Sequence, residues 1–135
     1  MDSTAWYAQL KKPAWAPPDW LFGPVWSVLY LIIFVSFGAV LMQAFRGDLS
    51  WLIATPFILN ILFNALFTPI QFGLKNNLLA AVDILLVVGT LAWGLVAIFP
   101  HLQWVAYVNL PYLTWGLFAT ALQLTITRLN PHTTN

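Results

Sequence analysis

The chain has 135 residues, 61% of them hydrophobic and 7% charged, with five Lys or Arg against four Asp or Glu and a formal net charge of +1. A mean hydropathy of +0.81 and a charged fraction far below the roughly one quarter typical of soluble domains exclude an ordinary soluble fold. The near-zero charge excludes the basic footprint of a nucleic-acid binder, and the lack of cysteine excludes disulfides, a thiol nucleophile and a thiolate metal site.

Residues 1–23 come first. Met1 to Leu10 has neither the basic start nor the continuous apolar core of a signal peptide, so the later apolar segments are expected to direct insertion. From Trp6 to Tyr30 the text reads WYAQLKKPAWAPPDWLFGPVWSVLY, in which Trp6, Trp15, Trp20 and Trp26 are interleaved with Pro13, Pro17, Pro18 and Pro24. Core packing does not need such a run, which reads as a built recognition surface; the simpler alternative is a set of interfacial anchors. Pro13, Pro17 and Pro18 each remove a backbone donor and bias their predecessors toward extended geometry. The spacing predicts a stiff loop from Lys12 to Asp19, part of an aromatic, proline-rich lid over the mouth of a bundle.

Four apolar stretches follow, about 24–45, 51–72, 78–99 and 104–126, each reaching the roughly 20 residues that a bilayer-spanning helix needs. They predict an all-α integral membrane bundle of four transmembrane helices, one domain over 1–135, with a polar, frayed tail at 130–135. The loops Arg46–Ser50 and Gly73–Asn77 are short enough to make successive helices antiparallel neighbours. Pro100, His101 and Leu102 turn the third span into the fourth. Lys11, Lys12, Lys75 and Arg128 lie on one side and Arg46 on the other, so both termini are expected to face the cytoplasm.

Two polar stripes run inside the spans. Asn60, Asn64, Thr68 and Gln71 share one helix face, as do Asn109, Tyr112, Gly116, Thr120 and Gln123. Polar groups in hydrocarbon need partners, so both stripes should face the interior, either zipped together or lining a cavity. Asp83, the one acid well inside a span, needs a proton or donors from neighbouring helices; it serves either helix packing or catalysis, and alone it makes no proton relay. His101 and His132, in a loop and a tail, form no metal site with Asp83, and neither a phosphate loop nor a nucleophile elbow occurs. What remains are aromatic walls (Trp26, Tyr30, Phe67, Trp93, Trp115, Phe118) with a few hydrogen-bonding groups, a combination suited to a large, flat, apolar ligand with polar edges.

The opening run, followed by NALFTPIQFG (Asn64 to Gly73), AVDILL (Ala81 to Leu86), PYLTW (Pro111 to Trp115) and Phe118-Ala119-Thr120, resembles the TspO/MBR family, the translocator or tryptophan-rich sensory proteins, also called peripheral-type benzodiazepine receptors. The likeness covers almost the whole chain, in order and with matching spacing. It implies a bacterial cell-membrane protein that binds porphyrins, and in animal members sterols and synthetic ligands, beneath a loop. Carried over by motif, Gly23, Trp26 and Tyr30 would line the pocket from the first span, Asn64 and Phe67 from the second, Leu79, Val82 and Leu86 from the third, and Trp115, Ala119 and Leu122 from the fourth.

The chain departs from the family pattern in four places. Phe67 stands where many members have Trp, and Leu79 where animal members have Trp. The family has a further span ahead of the WY motif, whereas this sequence begins five residues before Trp6. A bundle of four helices would then have an open wall, to be closed by lipid or by a second subunit in a homodimer. The stretch from Leu122 to Arg128 lacks the central Tyr of the animal cholesterol motif, itself a weak pattern, which favours a tetrapyrrole over a sterol-like ligand. No covalently bound cofactor and no metal are expected, though a porphyrin or haem-type ligand is. Three readings follow: a receptor or translocator for porphyrin-type ligands, a light-dependent porphyrin-degrading enzyme in which Trp26 and Trp115 would take part, and a structural membrane protein whose aromatic residues only pack.

Overall fold

A computed structural model of the chain describes residues 10–130 and, within them, every side chain but those of Asp19, Gln71 and Phe72. Trp6, His132, the tail beyond Asn130 and the Gln71 amide of the first polar stripe therefore lie outside what is described. The described residues form helices and loops, with no strand.

A single 3-10 turn, Asp19–Leu21, leads into α1, Phe22–Phe45. Pro24 falls in the first turn, where its missing N–H would have had no helical partner. The helix stops at Gly47, whose φ of 80° is the left-handed conformation that glycine adopts without strain. There the Gly47 N–H donates to the Ala44 carbonyl at 3.1 Å. The Ser50 hydroxyl then accepts the Leu52 N–H at 3.1 Å and starts α2, Trp51–Thr68. Pro69 has no N–H to continue the ladder, so the helix widens into a π turn, Pro69–Gly73, closed by the Leu74 N–H on the Pro69 carbonyl at 2.9 Å. Asn76 caps α3, Asn77–Ile98, by accepting the Leu79 N–H at 3.0 Å.

The fourth segment departs from the expected unbroken span over 104–126. It is two helices, α4, Gln103–Val108, and α5, Leu110–Leu129, with Asn109 at φ −93° and ψ 5° between them. Pro111 is the cause: it cannot donate to the turn before it, so the helix restarts, with the Leu113 N–H on the Asn109 carbonyl at 2.9 Å. By length and composition α1, α2 and α3 can each cross a membrane; α5 carries four threonines, Gln123 and Arg128 and is more polar. The chain is an all-helical membrane bundle.

α3 is the hub, packed against α2 on one side and α5 on the other. Both seams are tight: a methyl added at Gly94 would lie 3.2 Å from the Phe57 ring of α2, and one added at Gly116 of α5 would lie 3.2 Å from the Val88 Cγ2. α1 makes looser contact. It is held by the Phe37 ring set edge-on to Phe57, centroids 4.9 Å apart, and by its Ser36 hydroxyl, which accepts from the Asn109 Nδ2 at 3.0 Å.

Candidate ligand-binding site

The amide stripes left two possibilities open, and the structure draws their buried members into interhelical hydrogen bonds. Asn60 of α2 donates through Nδ2 to the Val87 carbonyl of α3 at 2.7 Å. Its Oδ1 accepts the Tyr112 hydroxyl of α5 at 2.8 Å. The Tyr112 oxygen accepts the Asn64 Nδ2 at 2.8 Å, and the Asn64 Oδ1 accepts the Tyr30 hydroxyl of α1 at 3.3 Å. One chain of hydrogen bonds thus ties four helices at membrane depth, where an unpaired polar group is costly. Gln123 of α5 similarly reaches the Asn77 carbonyl of α3 at 3.3 Å. Thr68, placed on the same stripe by its spacing, is exposed at the end of α2.

The chain of bonds ends on an aromatic face. Trp26 and Tyr30 are one turn apart on α1, with ring centroids 5.5 Å apart and planes inclined at 34°, and the Trp26 edge also meets Tyr112 at 6.4 Å. Trp26 is half-buried against the core, whereas Tyr30 is 50% exposed. Gly23, one turn before Trp26, leaves the surface open: a Cβ there would meet nothing within 4 Å. Rings with hydrogen-bonding groups at their edge can hold a flat apolar molecule and orient its polar rim.

A second aromatic cluster lies across α1. Trp115 of α5 meets Phe22 at 5.7 Å and Phe118 at 5.3 Å, and Phe118 meets Trp15 of the proline-rich loop at 5.7 Å. It borders an open groove of about 850 Å³ between α1 and α5, lined by Val25, Val28, Leu29, Pro111, Thr114 and Trp115 among others. The Trp115 Nε1 is buried and has no hydrogen-bond partner among the described residues.

The residues expected around one pocket therefore separate. Trp26, Tyr30 and Asn64 come together, with Tyr112 as their common neighbour. Phe67 and Ala119 are half-buried at the edge of the main core. Leu122 is buried with Leu10 and Ile126 in a smaller cluster below the loop. Leu79, Val82 and Leu86 share one face of α3 and are 42%, 48% and 43% exposed. Asp83 is buried, yet its Oδ2 has no partner among the described residues, so the donors expected from neighbouring helices do not reach that oxygen.

Two features escaped the sequence reading. Tyr112 stood on a polar stripe, but nothing marked it as the hub of the hydrogen-bond chain. Asn130, expected to begin a frayed tail, is 6% exposed. Its Oδ1 accepts the Lys11 N–H at 3.0 Å and its Nδ2 donates to the Lys11 carbonyl at 2.9 Å. An amide offers a donor and an acceptor side by side, matching one residue's backbone, and the two bonds clasp the loop to the end of α5.

The TspO/MBR family model matches residues 1–129. Protein CrtK of Rhodobacter capsulatus is 35% identical over 128 residues, covering 94% of this chain and 79% of that protein. The tryptophan-rich protein TspO of Archaeoglobus fulgidus is 36% identical over 125 residues, 93% of this chain and 80% of its own length. The translocator protein of Homo sapiens is 36% identical over 128 residues, 93% of this chain and 75% of its own length.

Proposed function

The chain belongs to the TspO/MBR family and is a multi-pass membrane protein of the receptor or translocator type, and on that premise we propose that it binds a porphyrin-type tetrapyrrole on the Trp26–Tyr30 face. The observation that supports this reading is the tilted pair of rings on α1 with the Tyr30 hydroxyl and the Asn64 amide at its edge. The macrocycle plane would lie against the rings and its substituted rim would meet the polar groups. Lipid supplies the remaining apolar surroundings. In this reading both termini face the cytoplasm, on the side of Lys11, Lys12, Lys75 and Arg128.

The test is a titration of the full chain in lipid nanodiscs with a neutral porphyrin, followed by quenching of tryptophan fluorescence. Saturable quenching is expected. Trp26→Ala should weaken it roughly fivefold or more and Trp26→Phe by less, because loss of a ring contact costs about 1 kcal/mol. Quenching that rises linearly with porphyrin and is indifferent to Trp26→Ala would mean partition into lipid and would end this reading.

A further inference from the structure

We infer that the ligand of this site must bring a hydrogen-bond donor, an O–H or N–H group, to Tyr30. The inference rests on the reading of the Trp26–Tyr30 face as the binding site and adds to it the polarity of the ligand's edge.

The direction of the hydrogen-bond chain is set at its buried end. A main-chain carbonyl can only accept, so the Asn60 atom 2.7 Å from the Val87 oxygen is the amide nitrogen. Asn60 therefore turns Oδ1 toward Tyr112, and an amide oxygen also only accepts, so the single Tyr112 proton is committed to it at 2.8 Å. The Tyr112 oxygen is left as an acceptor for Asn64, which fixes the Asn64 Nδ2 toward α5, at 2.8 Å, and Oδ1 toward α1. Tyr30 likewise has one proton, and it goes to the Asn64 Oδ1 at 3.3 Å.

Every link points inward, and the exposed end of the chain is an oxygen with lone pairs only. Reversing it would require both amides and both hydroxyls to turn together and would leave the Val87 carbonyl facing an amide oxygen. The second Asn64 amide proton belongs to a side chain 8% exposed, whereas Tyr30 is 50% exposed, so the atom of this hydrogen-bond chain that a ligand meets is the Tyr30 oxygen. An alcohol or N–H edge is satisfied there. An ether, ester or carboxylate oxygen set against the Tyr30 oxygen meets a like acceptor and leaves both unpaired there, and such a mismatch is what makes a hydrogen-bonding site selective.

The probes are a neutral porphyrin with one hydroxymethyl substituent and its O-methyl ether, which differ by a single donor. Each is titrated into the full chain in phosphatidylcholine nanodiscs, with partition into empty nanodiscs subtracted. The wild type is expected to bind the alcohol roughly three- to tenfold more tightly than the ether, the value of one hydrogen bond. Tyr30→Phe should bring the two affinities together. Tyr112→Phe frees the Asn64 amide to turn and release the Tyr30 proton outward, so the ratio should vanish or reverse; a merely structural role for Tyr112 would lower both affinities and leave the ratio as it was. Equal affinities in the wild type, or a preference for the alcohol that survives both substitutions, would overturn the inference while the site stands. Saturable binding of neither probe would remove the site and the inference together.

Discussion

α1 and α3 are of nearly equal length, 24 and 22 residues, yet α1 buries five residues and α3 eleven. α3 is gripped from both sides, by ring-on-glycine contact and the Asn60 hydrogen bond with α2, and by the Gln123 and Thr127 hydrogen bonds and the close approach at Gly116 with α5. α1 lies against this block with one face occupied and the opposite face and the α5 groove open. The bundle thus divides into a rigid frame of α2, α3 and α5 and a lightly held helix, and the candidate site falls at the seam, with its rings on the light helix and its amide on the frame.

The strongest challenge to this division is to cut one bond in each half. Asn60→Ala removes a 2.7 Å bond to the Val87 carbonyl, which keeps the Thr90 hydroxyl, and leaves the Tyr112 proton without its acceptor in a fully buried position, at a cost of about 2 kcal/mol or more. Tyr30→Phe removes one 3.3 Å bond from a half-exposed residue and should cost about 0.6 kcal/mol or less. Reversible unfolding in mixed micelles measures both, and equal losses would erase the distinction between frame and light helix.

Glycine substitutions sharpen the same contrast. Gly94→Ala presses a methyl against the Phe57 ring at 3.2 Å and should destabilise by about 1 kcal/mol. Gly38→Ala on α1 meets nothing within 4 Å, so only helix propensity acts and the change should be neutral or stabilising, by up to about 1 kcal/mol. A loss of stability at Gly94 with none at Gly38 is the expected outcome; a loss in both would contradict it.

A small global effect is expected at the clasp. Asn130→Ala removes both bonds to the Lys11 backbone but leaves the frame intact, so the loss of stability should stay below about 1 kcal/mol. Its signature is local: faster trypsin cleavage after Lys11 in the variant than in the wild type, at unchanged melting temperature. Equal cleavage rates would show that Leu10 and Trp15 hold the loop without the amide.

The spans were legible because length and apolarity alone decide whether a helix can cross a bilayer. Pro69 and Pro111 also stood in the text, and what they do there, widening one helix and breaking another, depends on where the freed carbonyls find partners. The Asn60 and Asn64 spacing correctly announced a buried polar face. It could not say that Tyr112, from a helix 48 positions beyond Asn64, would meet both amides, because nothing local encodes that pairing. Leu79, Val82 and Leu86 illustrate the opposite case: a motif carried them toward the pocket, while the packing of α3 leaves their shared face exposed. The clasp was hidden for a simpler reason, since a lone Asn near a chain end reads as solvent-loving until its partner is known.

The clasp also gives the fold an order in time. Lys11 and Asn130 are 119 positions apart, an interval of about 6–24 s at ordinary rates of synthesis of roughly 5–20 residues per second. During that interval the proline-rich loop exists without the amide that fastens it, and the seam between α1 and the frame is assembled with the loop still unlatched. A chain interrupted before Asn130 would carry every residue of the candidate site and still lack the fastening, so the loop made among the first residues is secured by one of the last.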